Sequence, residues 1–315
     1  MLERPSAESG SFLGAPVETD VRQVRSPFAI VGAPHGSPYD MRGVASDAAN
    51  APAAVRARSR RFARLIGNYD FDLEDDLFAE PGFPITDCGD VPADPRDLRA
   101  HLAATTASVA GVICAGAVPM VLGGDDSVVI PTLAAFERSG PLHIVHIDAH
   151  LDFRDEVAGV RDGYSSPMRR ATEMPWVQGI THIGLRGVGS GRRSDVEDAR
   201  AAGQILVTAD ALRTHGIAWL LDQLPSGARF FVSMDIDGLD PSIAPGTSAP
   251  LPGGLLFGDV AALYRGLSER GRVVGAISVE YFPSLDRNWT TADVIIRLLV
   301  NLIGAAQRTT RGHTA

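Results

Sequence analysis

The chain has 315 residues and a net charge of −9, from 29 basic and 38 acidic side chains. This acidic balance argues against non-specific binding to nucleic acid or anionic membranes, which needs clustered positive charge. Every basic residue is an arginine, which excludes mechanisms that need a lysine, such as a Schiff base or a P-loop. Two cysteines, Cys88 and Cys114, are too few for a disulfide framework or a thiolate zinc site.

Both ends of the sequence are polar. Residues 1–27 are rich in Ser, Gly, Glu and Pro and lack the apolar stretch of a secretory signal, so we expect a polar N-terminal arm. A polar tail is expected at residues 309–315. The longest apolar stretch, residues 294–303, is about half a membrane span and contains Arg297 and Asn301. The sequence therefore predicts a cytoplasmic protein with no membrane partner and no nucleic-acid partner.

Between the polar ends, apolar runs alternate with stretches of helical periodicity. Runs typical of buried strands occur at residues 28–34, 119–122, 143–147, 182–185, 204–207, 229–234 and 273–279. Helical stretches occur at residues 52–64, 97–116, 127–137, 209–224, 256–270 and 290–308. This alternation is typical of an α/β protein with a parallel sheet between two layers of helices. Because the sequence shows no repeat and no linker, we expect residues 28–308 to form one domain.

Acidic side chains follow three of the predicted strands, at residues 123–127, 148–152 and 235–237. Alternate residues of an extended chain point to the same side, so Asp148, His150 and Asp152 can converge, as can Asp235 and Asp237. Ligands bind beyond the carboxyl ends of parallel strands. Clustered buried carboxylates stay ionised only beside a cation. One such aspartate pair can be a capped turn, but two clusters in one sheet favour a site for one or two divalent metals.

Three segments resemble the signatures of the ureohydrolases, the superfamily of arginases, agmatinases and guanidino-acid hydrolases. They are Gly123-Gly124-Asp125-x-Ser127, His146-x-Asp148-x-His150-x-Asp152 and Ser233-x-Asp235-x-Asp237-x-x-Asp240-Pro241. The resemblance covers nearly the whole chain, and the agmatinase branch fits best. It implies a three-layer αβα fold with a central parallel sheet of about eight strands. It also implies two divalent metals, usually manganese and sometimes nickel, with a bridging hydroxide that attacks a guanidinium carbon and releases urea and an amine.

The resemblance also implies roles for single residues. Asp148, His150, Asp152, Asp235 and Asp237 match five metal ligands of the family. Asp148 and Asp235 match ligands that face both metals, which makes Asp148 an expected catalytic residue as well. Glu280 lies in a segment, V-E-x-x-P, that resembles the late signature of the family, and it matches the glutamate that orients the substrate guanidinium through a charge-assisted contact.

Two positions depart from the family pattern. The first signature usually reads G-G-D-H-S, and Asp126 replaces its histidine. A carboxylate can still bind metal, and its extra negative charge favours Mn²⁺ over Ni²⁺ and raises the pKa of the bridging water; alternatively, one metal subsite is lost. Tyr164 replaces a histidine thought to shuttle protons or contact substrate. A tyrosine can donate a hydrogen bond, but its ordinary pKa near 10 makes it a poor proton shuttle at about pH 7.

Two functions remain open at this point. The first is hydrolysis of agmatine, a guanidino acid, guanidine or a biguanide-like compound. Asp155 or Glu156 could face a cationic substrate tail, and Arg154 or Arg161 an anionic one. The second, motivated by Asp126 and Tyr164, is a non-catalytic subunit that partners an active paralogue in a hetero-oligomer. Hydrolysis of a formimino bond is a third, weaker alternative. The family suggests a homo-oligomer, either a trimer or a hexamer.

Overall fold

The computed structural model describes residues 1–39, 43–78 and 83–312, with side chains as far as residue 308. Its strands are β1 (Phe28–Gly32), β2 (Tyr69–Asp70), β3 (Asp75–Asp76), β4 (Ile85–Asp90), β5 (Val118–Leu122), β6 (Leu142–Ile147), β7 (Val177–Leu185), β8 (Ile205–Thr208), β9 (Arg229–Asp235) and β10 (Arg272–Val279). Its helices are α1 (Ala51–Ser59), α2 (Leu98–Cys114), α3 (Val129–Ala134), α4 (Pro167–Thr172), α5 (Arg193–Ala201), α6 (Ala209–Gln223), α7 (Phe257–Arg270) and α8 (Thr290–Gly312).

Eight strands form one sheet in the order β4-β1-β5-β10-β9-β6-β7-β8, and every pair in it is parallel. The strands β1 and β6 are buried along their whole length, as continuous apolar runs predict for a sheet covered on both faces. The helices α1, α6, α7 and α8 cover one face, and α2 to α5 cover the other. The predicted three-layer αβα fold with eight parallel strands is confirmed.

The helix α8 is long and apolar enough, by length and composition alone, to cross a membrane. In the fold, 72% of its most apolar window is buried inside the protein. Its apolar stripe packs on α7 and α1 through residues such as Ile295, Ile296 and Leu302. This is the position of a core helix, and its amphipathic pattern follows from that packing.

Five elements have no counterpart among the predicted ones: the two-residue strands β2 and β3, and three longer elements. The helix α5 carries mostly charged residues and buries little more than Ala199. The helix α4 has only six residues, starting at Pro167. The edge strand β4 contains the buried Asp87, which interrupts the apolar pattern of a strand. In each case polar side chains with specific partners replace the periodicity on which sequence prediction depends.

The segment before β1, expected as a polar arm, packs against the domain. Phe12 and Leu13 are buried in the core beneath α1, and Leu2 is buried near β4. The backbone N–H of Phe12 donates to the Asp87 carboxylate at 2.7 Å, and Glu3 pairs with Asp90 through backbone hydrogen bonds. The segment therefore covers the outer edge of β4. Of the expected tail at residues 309–315, the backbone of α8 continues to Gly312, and the rest lies outside the described residues.

A buried ion cluster joins α1 to β4. The Arg56 guanidinium is fully buried and donates to Asp87 at 2.8 Å and to Asp90 at 2.5 Å. It also donates to the Gly89 carbonyl at 3.1 Å. Asp87 in turn accepts the Phe12 N–H, so the N-terminal segment depends on the same cluster. Removing one member would leave the others buried and uncompensated.

We predict that Arg56→Gln lowers the free energy of unfolding by about 3–5 kcal/mol, because it leaves the Asp87 charge buried without a countercharge. Arg60→Gln, an exposed arginine that ends the same helix, is the control and should change stability by less than about 0.5 kcal/mol. Urea unfolding of both variants measures the difference. Equal midpoints would show that the buried cluster has no net structural role.

Candidate metal centre

The site lies at the carboxyl edge of the sheet, where four neighbouring strands end. Asp126 follows β5, Glu280 follows β10, Asp235 ends β9 and Asp148 follows β6. These strands are adjacent in the order β5-β10-β9-β6. Parallel strands end at one edge of the sheet, so four segments distant in sequence meet in one crevice. The structure thus brings together the residues that the sequence singled out.

The candidate ligands form two overlapping groups. In the first, atoms of Asp126, His146, Asp148 and Asp152 lie within 4.8 Å of one another; in the second, atoms of Asp148, His150 and Asp237 do so. Asp148 belongs to both groups, which is the arrangement of a two-metal site with a shared carboxylate.

Asp235 lies outside both groups but borders them. It is 2% exposed, and its carboxylate accepts the backbone N–H of Asp237 at 2.8 Å. Burial first, and then the charges of Asp237 and Asp148, raise its pKa well above the usual range. Its position at the end of β9, two residues before Asp237, places it next to the second group.

The carboxyl groups repel one another because few cations offset them. Burial and neighbouring carboxylates raise the pKa of Asp126 and of Asp152 well above the ordinary value. The same causes raise the pKa of Asp148 to about 7. Buried ionised carboxylates are costly without a partner. The site therefore favours any cation that can offset this charge.

Several ligand atoms are buried without a hydrogen-bond partner among the described residues. They are both carboxylate oxygens of Asp126, Oδ2 of Asp148 and Nε2 of His146. All four belong to residues of the first group. Oxygen and imidazole nitrogen atoms are suitable ligands for Mn²⁺ and similar divalent ions. The donor set therefore fits the metals that the family implies.

His150 lies between the carboxylates of the second group. Its Nδ1 is 3.0 Å from Asp237 and 3.5 Å from Asp148. Hydrogen bonds to Asp148 and Asp237 raise the pKa of His150 to about 11, and the same contact with His150 outweighs burial and lowers the pKa of Asp237. Without metal, the imidazolium supplies the local positive charge. A metal ion that binds Nδ1 must displace that proton.

Two glycines let the loops of the site approach each other. A Cβ on Gly124 would fall on the carbonyl oxygen of His35, and one on Gly238 would lie 2.7 Å from the backbone nitrogen of Asp148. Larger residues at these positions would push the loops after β5 and β9 away from the crevice.

Arg186, which follows β7, holds the loop after β9. Its guanidinium donates to the carbonyl oxygens of Asp237 at 2.6 Å, Gly238 at 3.2 Å and Leu239 at 3.1 Å. It also donates to the Leu251 carbonyl at 2.7 Å. This fork fixes the backbone that carries Asp237. Sequence reasoning missed Arg186, although a lone arginine directly after an apolar strand is a signal for such a role.

Glu280 occupies a strained backbone position beside Asp126. Its φ of +61° lies in the left-handed region, which non-glycine residues rarely adopt outside functional sites. Its Oε1 accepts the backbone N–H of Asp126 at 2.8 Å. Burial, followed by the charge of Asp125, raises the pKa of Glu280 well above its usual range. The second carboxylate oxygen makes no hydrogen bond to the described residues and is free to accept one from a ligand.

Tyr164 packs against a residue that lines a cleft of about 450 Å³ next to the crevice. Its ring packs on Tyr39 with centroids 4.2 Å apart, and the Tyr39 hydroxyl accepts the backbone N–H of Ser165 at 2.9 Å. The cleft is lined in part by Tyr39, Asp125 and Ser127, the last two of which flank Asp126. Tyr39 therefore lines the approach to the candidate ligands, and Tyr164, which is not among the described residues that line the cleft, packs against it.

The charged residues expected to meet a substrate tail lie elsewhere. Asp155 binds Arg161 at 3.1 Å and Arg170 at 2.5 Å, and Arg154 is 3.4 Å from Asp195. None of Arg154, Asp155, Glu156 and Arg161 is among the described residues that line the cleft, which instead include Arg96 and Asp162. Side chains of both charges therefore line the cleft, and the sequence patterns singled out neither of these two residues.

Without metal, we predict that the protein becomes less stable as the pH rises from about 7.5 to about 8.5. In this window the folded chain keeps a proton on His150, with a pKa of about 11, and in part on Asp148, with a pKa of about 7, that the unfolded chain has released. The free energy of unfolding therefore falls with pH. The buried histidines whose pKa values are lowered, such as His146 and His182, are partly protonated near pH 6.5 only in the unfolded chain and oppose this slope there, but above about pH 7.5 they are neutral in both states.

Melting temperatures measured with a chelator should show this fall. With excess Mn²⁺, the fall should disappear or reverse, because the bound ion stabilises the folded state and its ligands bind better when deprotonated. A melting temperature that does not respond to Mn²⁺ at any pH would contradict the assignment of the crevice as a metal centre.

Comparison with known proteins agrees with this geometry. A family model described as "Arginase family" matches residues 26–304. The chain is 33% identical over 225 residues to proclavaminate amidinohydrolase of Streptomyces clavuligerus, covering 70% of each chain. It is 33% identical over 226 residues to guanidinopropionase of Pseudomonas aeruginosa, again covering 70% of each.

Agmatinase of Gallus gallus is 29% identical over 303 residues, covering 93% of this chain and 84% of the relative. The solved structure of the Streptomyces amidinohydrolase superposes with a TM-score of 0.81 and 26% identity, covering 98% of this chain and 100% of that one. The resemblance seen in the sequence signatures is confirmed. The chain belongs to the arginase family.

Proposed function

We propose that the protein is a metal-dependent amidinohydrolase of the agmatinase type, which hydrolyses a guanidino compound to urea and an amine. The observation that carries this proposal is the pair of ligand groups that share Asp148, with Glu280 beside them. Family membership supports hydrolysis of an amidino C–N bond. The two overlapping groups also make the enzyme a better interpretation than the non-catalytic subunit.

The residues that would hold two divalent cations are Asp126, Asp148, His150, Asp152, Asp235 and Asp237. Carboxylate oxygens dominate this set, which favours Mn²⁺, with Ni²⁺ as the alternative. When bound, two such ions lower the pKa of water and supply hydroxide at neutral pH. The contribution of Asp148 is to place one carboxylate between both groups, so that a single buried side chain fixes their separation.

Glu280 would bind and orient the guanidinium. One of its oxygens is held by the Asp126 N–H, which leaves the other to accept a guanidinium N–H in a charge-assisted hydrogen bond. Because the hydrogen bond between Glu280 and the Asp126 N–H fixes these two residues relative to each other, a guanidinium bound to Glu280 would have its carbon atom at a defined distance from the metal ligands. Tyr164, which packs on the cleft-lining Tyr39, would contact the substrate as a hydrogen-bond donor.

We propose that the substrate is a guanidino compound and do not specify the tail attached to its guanidinium group. Relatives are named for agmatine, for proclavaminate and for guanidinopropionate, which differ in the tail beyond that group. The cleft presents Arg96 and Asp162, so its charge favours neither sign of tail. We further propose a cytoplasmic protein that assembles as a homo-oligomer, a trimer or a hexamer, or with a paralogue.

We predict that Asp148→Asn and Asp235→Asn each abolish urea release while the chain stays folded, because a neutral amide is a much weaker metal ligand than a carboxylate. Metal content measured by mass spectrometry after loading with Mn²⁺ should fall from about two ions per chain. Asp222→Asn, which changes an aspartate whose side chain is 79% exposed, is the matched control and should leave both readouts unchanged. Full activity in either site variant would rule out the two-metal proposal, and absence of metal in the unaltered chain would favour the partner-subunit role.

We predict that Glu280→Gln keeps its metal but loses about 10- to 100-fold in kcat/KM, the cost of one hydrogen bond to a charged group. Steady-state urea release from a panel of guanidino compounds, together with metal content, measures this separation. Loss of metal together with activity would instead place Glu280 among the groups that hold the ions.

A further inference from the structure

His146 lies two residues before Asp148 and so faces the same side of the extended chain. Its side chain is fully buried, and its Nε2 is 3.0 Å from Asp148 Oδ2. Despite this distance, neither atom makes a hydrogen bond of acceptable geometry with any described residue. Both are members of the first ligand group, with Asp126 and Asp152. His146 is therefore oriented toward the ligand atoms without being bonded to them.

The other ring nitrogen of His146 begins a chain of buried hydrogen bonds. His146 Nδ1 is 2.9 Å from His182 Nδ1, and His182 Nε2 is 2.7 Å from Gln204 Oε1. The Gln204 amide nitrogen donates to Thr172 Oγ1 at 2.7 Å. Thr172 donates its hydroxyl proton to the Met168 carbonyl at 2.9 Å. The chain thus runs from the site through β7 to the end of α4.

This chain fixes where the protons lie. Because the single hydroxyl proton of Thr172 goes to the Met168 carbonyl, its oxygen must accept from the nitrogen of Gln204. Gln204 Oε1 therefore faces His182 Nε2, which must carry a proton. A neutral imidazole has one N–H, so His182 Nδ1 is an acceptor and His146 Nδ1 is the donor toward it.

The neutral state of both rings follows from their surroundings. Each ring is fully buried, and His182 hydrogen-bonds to Gln204 and His146, which offer no negative charge to offset a protonated ring. With its proton on Nδ1, His146 has a lone pair on Nε2. The groups of the first set that face this lone pair are carboxyl groups, which in their ionised, metal-binding form only accept hydrogen bonds. A cation is the partner that can bind the lone pair and the carboxylates together.

We propose that His146 Nε2 is a direct ligand of the ion held by Asp126, Asp148 and Asp152. This inference rests on the proposed metal-dependent function and adds a residue that the family signature does not assign. Asp126 replaces a nitrogen ligand with an anionic oxygen ligand, and His146 supplies a nitrogen ligand to the same group from β6 without further charge. The hydrogen bond from its Nδ1 fixes the tautomer, as in other histidines that bind metals.

The direct test is a crystal structure of the full chain grown with Mn²⁺, with the ions placed from their anomalous scattering. We expect His146 Nε2 within bonding distance of an ion that also contacts Asp126, clearly closer than the roughly 3 Å of a hydrogen bond. An ion bound by Asp126 with Nε2 at hydrogen-bond distance from Asp148, and no contact to the ion, would overturn the inference while leaving the metal-dependent function intact. Absence of Mn²⁺ from the crevice would overturn both.

Metal titrations of variants supply a readout that does not depend on activity. His146→Gln should weaken Mn²⁺ binding at one of two sites by more than about 100-fold, since even groups that only support a ligand cost 10- to 100-fold. The matched control is His143→Gln. His143 lies on the same strand, is 9% exposed and bonds Thr181 on the opposite side at 2.9 Å.

The control variant should retain about two ions per chain. Equal Mn²⁺ affinity in both variants would overturn the inference, whereas weak binding in the unaltered chain as well would overturn the proposed function with it. Circular dichroism before each titration verifies folding. If His146→Gln does not fold, the crystal structure of the unaltered chain still decides the question.

Discussion

Repulsion between carboxyl groups at the middle of the sheet is the constraint on which the site depends. Asp126, Asp148, Asp152 and Asp235 are buried together, and burial and mutual charge raise the pKa of each. A fold selected only for stability would not gather such groups, because each costs free energy to ionise away from water. Their convergence from three strands is explained if divalent cations bind among them and offset their negative charge. The rest of the structure then serves to hold the carboxylates where repulsion would otherwise separate them.

The protein groups that hold the carboxylates in place against this repulsion are mostly uncharged. Backbone N–H groups of the loops donate to Asp148, Asp235 and Glu280, and Gly124 and Gly238 allow the loops to pack closely enough for this. Arg186, although cationic, directs its hydrogen bonds to carbonyl oxygens rather than to carboxylates. Positive charge on protein groups is thus kept from most of the crevice. The exception is His150, whose proton gives way when a metal binds.

The sequence was sufficient for the fold class, most strands and the convergence of the candidate ligands, because these follow from apolar runs and from alternation along extended chain. It was insufficient where polar groups meet specific partners. The alternation that joined Asp148 to His150 also applies to His146, but its orientation depends on Gln204 and on Thr172 in α4, a helix without a periodic signal. The carbonyl groups bound by Arg186 belong to loop backbone, which no side-chain pattern encodes. Likewise, the conformation of the loops determines which charged side chains line the cleft, and the sequence pattern does not encode it.

The strand at the centre of the sheet comes last of the sheet strands along the chain. β10, at Arg272–Val279, lies between β5 and β9 and, among the described strands, is the one that joins β4-β1-β5 to β9-β6-β7-β8. Until it leaves the ribosome, the growing chain has two half-sheets with open inner edges, each a template for pairing with another chain. Such long-range parallel pairing is slow to form. Translation speed and chaperone protection before β10 emerges should therefore govern the yield of native protein more than the stability of the finished fold.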